Sequence, residues 1–240
     1  MTKIGENPVA GPKRFYTVAT LAEEGGSFSL LLDKRRAKTK TGNEIRIKSA
    51  ALASAILEEW NAQGERIDFM AMPMTRFAMT AIDLGARDAE SWREAVLAFL
   101  KSDLLCYRAP VPSELLERQN AAWDPILGWC ATKLDIRLNK GIGVEFVEQP
   151  REAIDAARRF LTILTVERLI GVKSATEIAG SAAIAFALLQ GPFDAGALFE
   201  ASRIDERFQA ERWGIDSEAA ARERQLKQDF LSAARFLSLV

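Results

Sequence analysis

The first fifty residues alternate apolar and polar positions, as strands do. Phe15–Ala19, Ser27–Leu32, Arg36–Thr39 and Glu44–Ile47 fit the two-residue period of half-buried strands. Gly25-Gly26 separates the first two. Asp33-Lys34 falls where the second turn must come, and Thr41-Gly42-Asn43 makes a third. Connections this short predict a small antiparallel meander.

From Ser49 the period changes to that of a helix. Ser49–Gly64 sets Leu52, Ile56 and Trp60 on one stripe, with Glu58 and Glu59 beside it. Pro73 opens a helix predicted to run to about Leu84, since proline is tolerated in a first turn. Ser91 and Glu94 have the spacing of a capping box for a helix ending near Leu100. Ser113 is placed to cap the helix of Leu116, Trp123, Leu127 and Cys130, and Pro125 should kink or divide it. Val144–Val147 reads as extended after the turn Gly141-Ile142-Gly143. From Glu152 onward the pattern is helical. Ser174 and Glu177 form another capping box, before a helix of Ile178, Ala182, Phe186 and Leu189. That helix is apolar nearly all round, which predicts a buried central helix. The last helix, from about Asp216, carries Leu226, Phe230, Ala234 and Leu237.

The fold class expected is therefore α+β. A small antiparallel β-rich N-terminal part precedes a mainly α-helical C-terminal bundle. The expected domains are residues 1–105, with the sheet and the helices that follow it, and residues 106–240. The division rests on the helix end near Leu100 and on Pro110 and Pro112 after it.

Charge and composition narrow the function. The net charge is -1, so nothing marks the chain as a nucleic-acid binder. The local basic run Lys34-Arg35-Arg36, with Lys38 and Lys40, reads as a solvated hairpin edge. Histidine is absent. That removes Ser-His-Asp and Cys-His catalysis and the histidine metal motifs together. Cys106 and Cys130 lie far apart among apolar neighbours and read as reduced core thiols. Met1–Pro12 carries no apolar stretch and reads as a short arm rather than a targeting peptide. The longest apolar-and-small run, Ile178–Leu189, falls short of the roughly twenty residues that span a bilayer. The expectation is a cytoplasmic protein without membrane insertion.

No phosphate loop or dinucleotide fingerprint is present, so no cofactor is expected. Carboxylates are the only catalytic material: Asp205, Glu206 and Glu211 near Trp213-Gly214, and Glu58-Glu59 before Trp60. Buried acids with separated pKa values would make a carboxylate-based enzyme of unknown substrate, which stands as the alternative function. Otherwise acids and aromatics form the rim and anchors of a protein interface. Most of the five tryptophans read as core. Trp213 is the exception, because Gly214 should end its helix at a surface corner, and Trp123 comes next. The candidate partner-binding residues are Asp205, Glu206, Glu211, Trp213 and Trp123, and no catalytic or metal residue is assigned.

Four blocks of sequence carry a resemblance. The first is Lys13-Arg14-Phe15-Tyr16 with Leu31-Leu32-Asp33. The second runs from Glu59-Trp60-Asn61-Ala62-Gln63-Gly64-Glu65 through Ile67-Asp68 and Met72-Pro73-Met74-Thr75-Arg76 to Thr80-Ala81-Ile82-Asp83. The third is Ser102-Asp103-Leu104-Leu105-Cys106-Tyr107-Arg108-Ala109 with Arg118-Gln119 and Trp123-Asp124-Pro125. The fourth is Asp205-Glu206, Gln209, Glu211 and Trp213-Gly214. In this order and spacing they resemble the assembly chaperones that hold the free alpha subunit of the F-type ATP synthase catalytic head. Lys34 departs from the family's usual Asp-Gly turn, Asn61 from its usual Asp, and Phe208 from a common indole. The resemblance implies a non-enzymatic chaperone, monomeric when free, whose partner is the unassembled alpha subunit. It implies a bacterial or mitochondrial family, and a bacterial cytoplasm for this chain.

Overall fold

The structure, a computed structural model, describes residues 11–240. Most of the arm expected over Met1–Pro12 lies outside the described residues. The chain forms two compact units that divide within one helix. The first runs to Ala86 and takes in Leu239–Val240; the second is Arg87–Ser238.

In the first unit β1 (Ala19–Glu24) pairs antiparallel with β2 (Ser27–Leu32) across Gly25-Gly26. Both glycines have positive φ, +56° and +71°, which glycine adopts without a Cβ penalty. β2 also pairs with β3 (Arg35–Arg36) and β4 (Arg46–Ile47). The meander was expected, but its first strand begins where the alternating run Phe15–Ala19 ends. Those residues are held instead by side chains. Arg14 donates to the carbonyls of Tyr16 (3.1 Å), Thr17 (2.9 Å) and Gln63. Asn61 makes a reciprocal pair with Ala19, accepting from its N–H (3.1 Å) and donating to its carbonyl (3.3 Å). An Asp could only accept there, so the amide completes the pair.

The turn at Asp33-Lys34 puts both residues at positive φ, +48° and +69°, the type I′ conformation. Asp33 makes the turn useful. Its carboxylate accepts from Val18 N–H (3.0 Å) and Thr17 N–H (2.9 Å). These bonds, Val18 first, hold its carboxyl below the usual range. Lys34 gains no such compensation, and a left-handed non-glycine residue costs about 1 kcal/mol. Lys34→Gly should stabilise the protein by about 0.5–1 kcal/mol, seen as a higher urea midpoint with an unchanged slope. An unchanged or lower midpoint would mean that Lys34 carries no strain.

α1 (Ala50–Asn61) is capped by Ser49, whose Oγ accepts from Leu52 N–H. Its Glu59 then caps α2 (Pro73–Lys101). The Glu59 carboxylate accepts from Met74 N–H (2.7 Å), Thr75 N–H (2.8 Å) and Thr75 Oγ1 (2.7 Å). This satisfies donors that a helix start leaves open. Asp83 on α2 accepts from Thr39 Oγ1 (2.6 Å), Thr41 Oγ1 (2.5 Å) and Asn43 Nδ2 (2.9 Å), fastening the β3–β4 turn to the helix. Asp83→Ala should release that turn and lower the unfolding midpoint by a few degrees. The loss corresponds to about 1–2 kcal/mol for several charge-assisted bonds at a half-exposed site. A midpoint within error of the parent would show that the turn holds itself.

α2 is one helix of 29 residues, not the two expected. Ser91 lies inside it and its Oγ donates to the Asp88 carbonyl (2.8 Å), so its spacing to Glu94 is not a cap.

The second unit is helical apart from one short parallel pair, β5 (Tyr107–Arg108) with β6 (Gly141–Ile142). α3 (Ser113–Lys133) passes through Pro125 without dividing, and the residue before it is Pro112, with no side-chain cap from Ser113. α4 (Arg151–Thr162) and α5 (Val166–Ala179) follow. Ser174 lies inside α5. The chain breaks at Gly180 (φ +67°), and Ser181 caps α6 (Ala182–Gln190). The break comes later than expected because glycine ends a helix more decisively than a capping pattern starts one. α6 is the buried centre of this unit: Ala182 through Ala187 are all buried. α7 (Ala195–Ala201), α8 (Ile204–Trp213) and α9 (Ser217–Leu239) complete it. Val144–Val147, expected as a strand, forms none. Its neighbours Gly141–Ile142 take the pairing.

A candidate partner-binding corner

α8 opens with Asp205 and Glu206 in its first turn, where carboxylates suit the positive end of a helix. It ends at Gly214, φ +80°, whose N–H bonds the Ala210 carbonyl at 2.8 Å. The stop leaves Trp213 77% exposed, with Ile215 49% exposed just beyond it. On the same helix Phe208 is buried. The guanidiniums of Arg118 and Arg212 lie over its ring, 5.3 Å and 4.2 Å from the centroid.

Glu211 is bound to this layer. It accepts from Arg118 at 2.8 Å, and Arg118 also donates to Glu114 at 2.8 Å, so α8 and α3 share one cation. The hydrogen bonds that Arg118 donates to Glu211, then to Glu114, raise its pKa. Exposed pairs of this kind add little stability. Their effect is to tie α8 to α3. Glu206 is exposed and accepts from Arg203 (3.1 Å), which is itself anchored to the Ile178 carbonyl (2.7 Å). Trp213, Ile215, Glu206, Gln209 and Ala219 line a shallow depression of about 290 Å³.

The other two expected residues face inward. Asp205 accepts from Gln119 Nε2 (2.7 Å), and Gln119 in turn accepts from Ala109 N–H (2.8 Å). Trp123 is fully buried. Its Nε1 donates to the Ala201 carbonyl (2.7 Å), and Arg108 lies over its ring at 4.9 Å. Its expected place on a binding surface is corrected: a side chain with no exposed area touches no partner. The helix that carries it turns that residue towards α7.

Sequence reasoning missed one exposed segment. Ile142, Val144 and Phe146 are 68%, 98% and 71% exposed. The signal was there, three apolar residues around Gly143, but Ile142 read as part of a turn and Val144–Val147 as extended.

The buried acid of the second unit is Asp103. It accepts from Leu105 N–H (3.1 Å), Ser181 Oγ (2.7 Å) and Ala183 N–H (3.0 Å), bracing the start of α6. Burial pushes its carboxyl up to about 6. It is fully enclosed, so it braces the fold and reaches no substrate. Cys106 and Cys130 are free and buried, and burial pushes both thiols up to about 12. Thiols held protonated in this way are unreactive. Among the described residues no cluster of three or more Cys, Asp or Glu could hold a metal ion. No described helix is long and apolar enough to cross a membrane.

Residues 13–131 match the family model of the ATP12 chaperone protein. The crystal structure of Atp12 from Paracoccus denitrificans is 35% identical, with a TM-score of 0.90 over 95% of this chain and 98% of that one. The Atu1473 protein from Agrobacterium tumefaciens is 38% identical, with a TM-score of 0.89 over 95% of this chain and 86% of that one. The mitochondrial protein atp12 of Schizosaccharomyces pombe is 21% identical over 94% of this chain and 82% of its own length. With a fold and a sequence shared end to end with Atp12 at this level of identity, the chain belongs to the ATP12 chaperone family.

Proposed function

We propose that this chain holds the unassembled alpha subunit of the F-type ATP synthase catalytic head and keeps it soluble until the beta subunit displaces it. Membership of the ATP12 family makes it an ATP synthase assembly chaperone. The alpha subunit as client is our own reading. An unassembled ring subunit exposes a large apolar face that aggregates. Covering that face and yielding it to a tighter native partner needs no ATP. We read the protein as a binding protein and not an enzyme, monomeric when free. A bacterial cytoplasmic location is proposed on its likeness to the two bacterial structures.

The observation that carries the choice of surface is Trp213, a large aromatic 77% exposed at the end of a helix, in a depression that Glu206 also lines. Exposed aromatics beside arginine are what anchor interfaces. Glu206, Glu211 and Trp213 would touch the client, with Asp205 positioning α8 from behind.

Trp213→Ala should weaken capture of the alpha subunit by about 2 kcal/mol, roughly thirtyfold, with little change in melting temperature. Glu211→Lys should also weaken it by placing a cation against Arg118. Capture at parent strength by both variants would remove the corner from the account while leaving the client open.

A further inference from the structure

The first unit carries a groove of its own. It lies where the β2–β3 turn meets the Phe15–Val18 segment and the end of α1, and encloses about 510 Å³. Its lining combines exposed aromatic surface with positive charge. Phe15 is 70% exposed, and Val18 beside it 49%. Trp60 forms the floor at 5% exposure, and its Nε1 has no acceptor among the described residues.

The charges are not equivalent. Arg36 is committed to Glu24 (2.6 Å) and Glu44 (2.5 Å). Asp33, the groove's one carboxylate, is taken up by the backbone N–H groups of Thr17 and Val18. Arg35 and Lys38 line the same groove and have no ion-pair partner among the described residues. Lys34 and Lys40 stand next to them in sequence. Part of the basic run thus borders a groove that also holds Phe15 and Trp60.

We propose that this groove binds an acidic peptide segment of a protein partner, with an apolar side chain on Phe15 and Trp60 and carboxylates on Arg35 and Lys38. The fit is one of charge complementarity with an apolar anchor. A protein segment suits it better than nucleic acid, because the chain carries no net positive charge. The site uses residues of the first unit only, so it stands or falls apart from the corner at Trp213.

The test needs no ATP synthase subunit. A labelled peptide of about twelve residues, alternating Asp or Glu with Leu or Phe, is titrated against the full chain by fluorescence anisotropy. The same length with Lys for each acid is the control. The acidic peptide should bind and the basic one should not, and added salt should weaken binding. The double variant Arg35→Glu with Lys38→Glu should weaken it at least about tenfold. The milder Arg35→Gln with Lys38→Gln serves if the charge reversals unfold the chain. Phe15→Ala, at an exposed position, should weaken it separately. Equal binding of both peptides, or of the double variant, would overturn the proposal. So would equal or tighter binding of single-stranded RNA or anionic vesicles. Self-association abolished by the same variants would assign the groove to a second copy and overturn it as well.

Discussion

Replacing Asp103 by alanine should cost about 3–6 kcal/mol of stability, the largest effect expected of any single substitution considered. The change strands Leu105 N–H, Ala183 N–H and the Ser181 hydroxyl in a fully buried site. Each buried unpaired group costs about 1–3 kcal/mol. The start of α6 loses its brace with them, and α6 is the centre of the second unit. Chemical denaturation at constant pH reads the loss directly.

The pH dependence of the milder Asp103→Asn gives a sharper test. Burial raises the Asp103 carboxyl from the ordinary 3.8 to about 6 in the folded protein. Between those values the folded chain binds a proton that the unfolded chain has released. The group's contribution to stability is then greatest below about pH 4 and falls as pH rises through pH 6. Removing the titration should make the penalty of Asp103→Asn larger at pH 4.5 than at pH 7, by at most about 3 kcal/mol. Comparing parent and variant at each pH is essential. The carboxyls of Asp33, Asp83 and Glu94 are lowered and pull the other way as pH falls. A penalty constant with pH would mean that Asp103 titrates in the folded state as it does unfolded.

The second large effect separates two tryptophans that look alike in sequence. Trp123→Ala should destabilise the protein by about 3–5 kcal/mol through the cavity it leaves. It also strips Arg108, which is 4% exposed, of the ring beneath its guanidinium and leaves the Ala201 carbonyl unpaired. Trp213→Ala removes a similar volume from solvent-exposed space. Its effect on stability should stay within about 0.5 kcal/mol. Thermal melts of the two variants, side by side, check the assignment. Similar losses would mean that the exposed ring packs against something that stabilises the fold.

That contrast shows where the sequence was legible. An α+β chain with a small antiparallel N-terminal sheet and helices after it follows from period alone, and the structure has it, although β4 returns to β2 rather than to β3. The exposed position of Trp213 followed from Gly214, a local rule that tertiary packing did not override. The buried position of Trp123 did not follow, because the WDP step looks the same on a surface or in a core. Serine patterns misled for a related reason. Ser91 and Ser174 have capping-box spacing, but nothing nearby stops the helix that already runs through them. The true brace of α6 is Asp103, 78 residues from Ser181 in the chain, and no local pattern reveals it. The resemblance had singled out that block without a physical reason for it. Asp103, Arg108 and Gln119 supply one, since each carries hydrogen bonds between distant segments. Glu59 does the same for the block that ends in Asp83. The groove at Phe15 was hidden because Phe15 was assigned to a strand and the basic run to an edge, and only the fold brings them together.

The proposed function has the chain keep an alpha subunit soluble and give it up to the beta subunit. Co-expression with the alpha subunit of the same genome, followed by pull-down and gel filtration, tests it most directly. A soluble stoichiometric complex that dissociates when the beta subunit is added is expected. An alpha subunit that stays insoluble and forms no complex would contradict it.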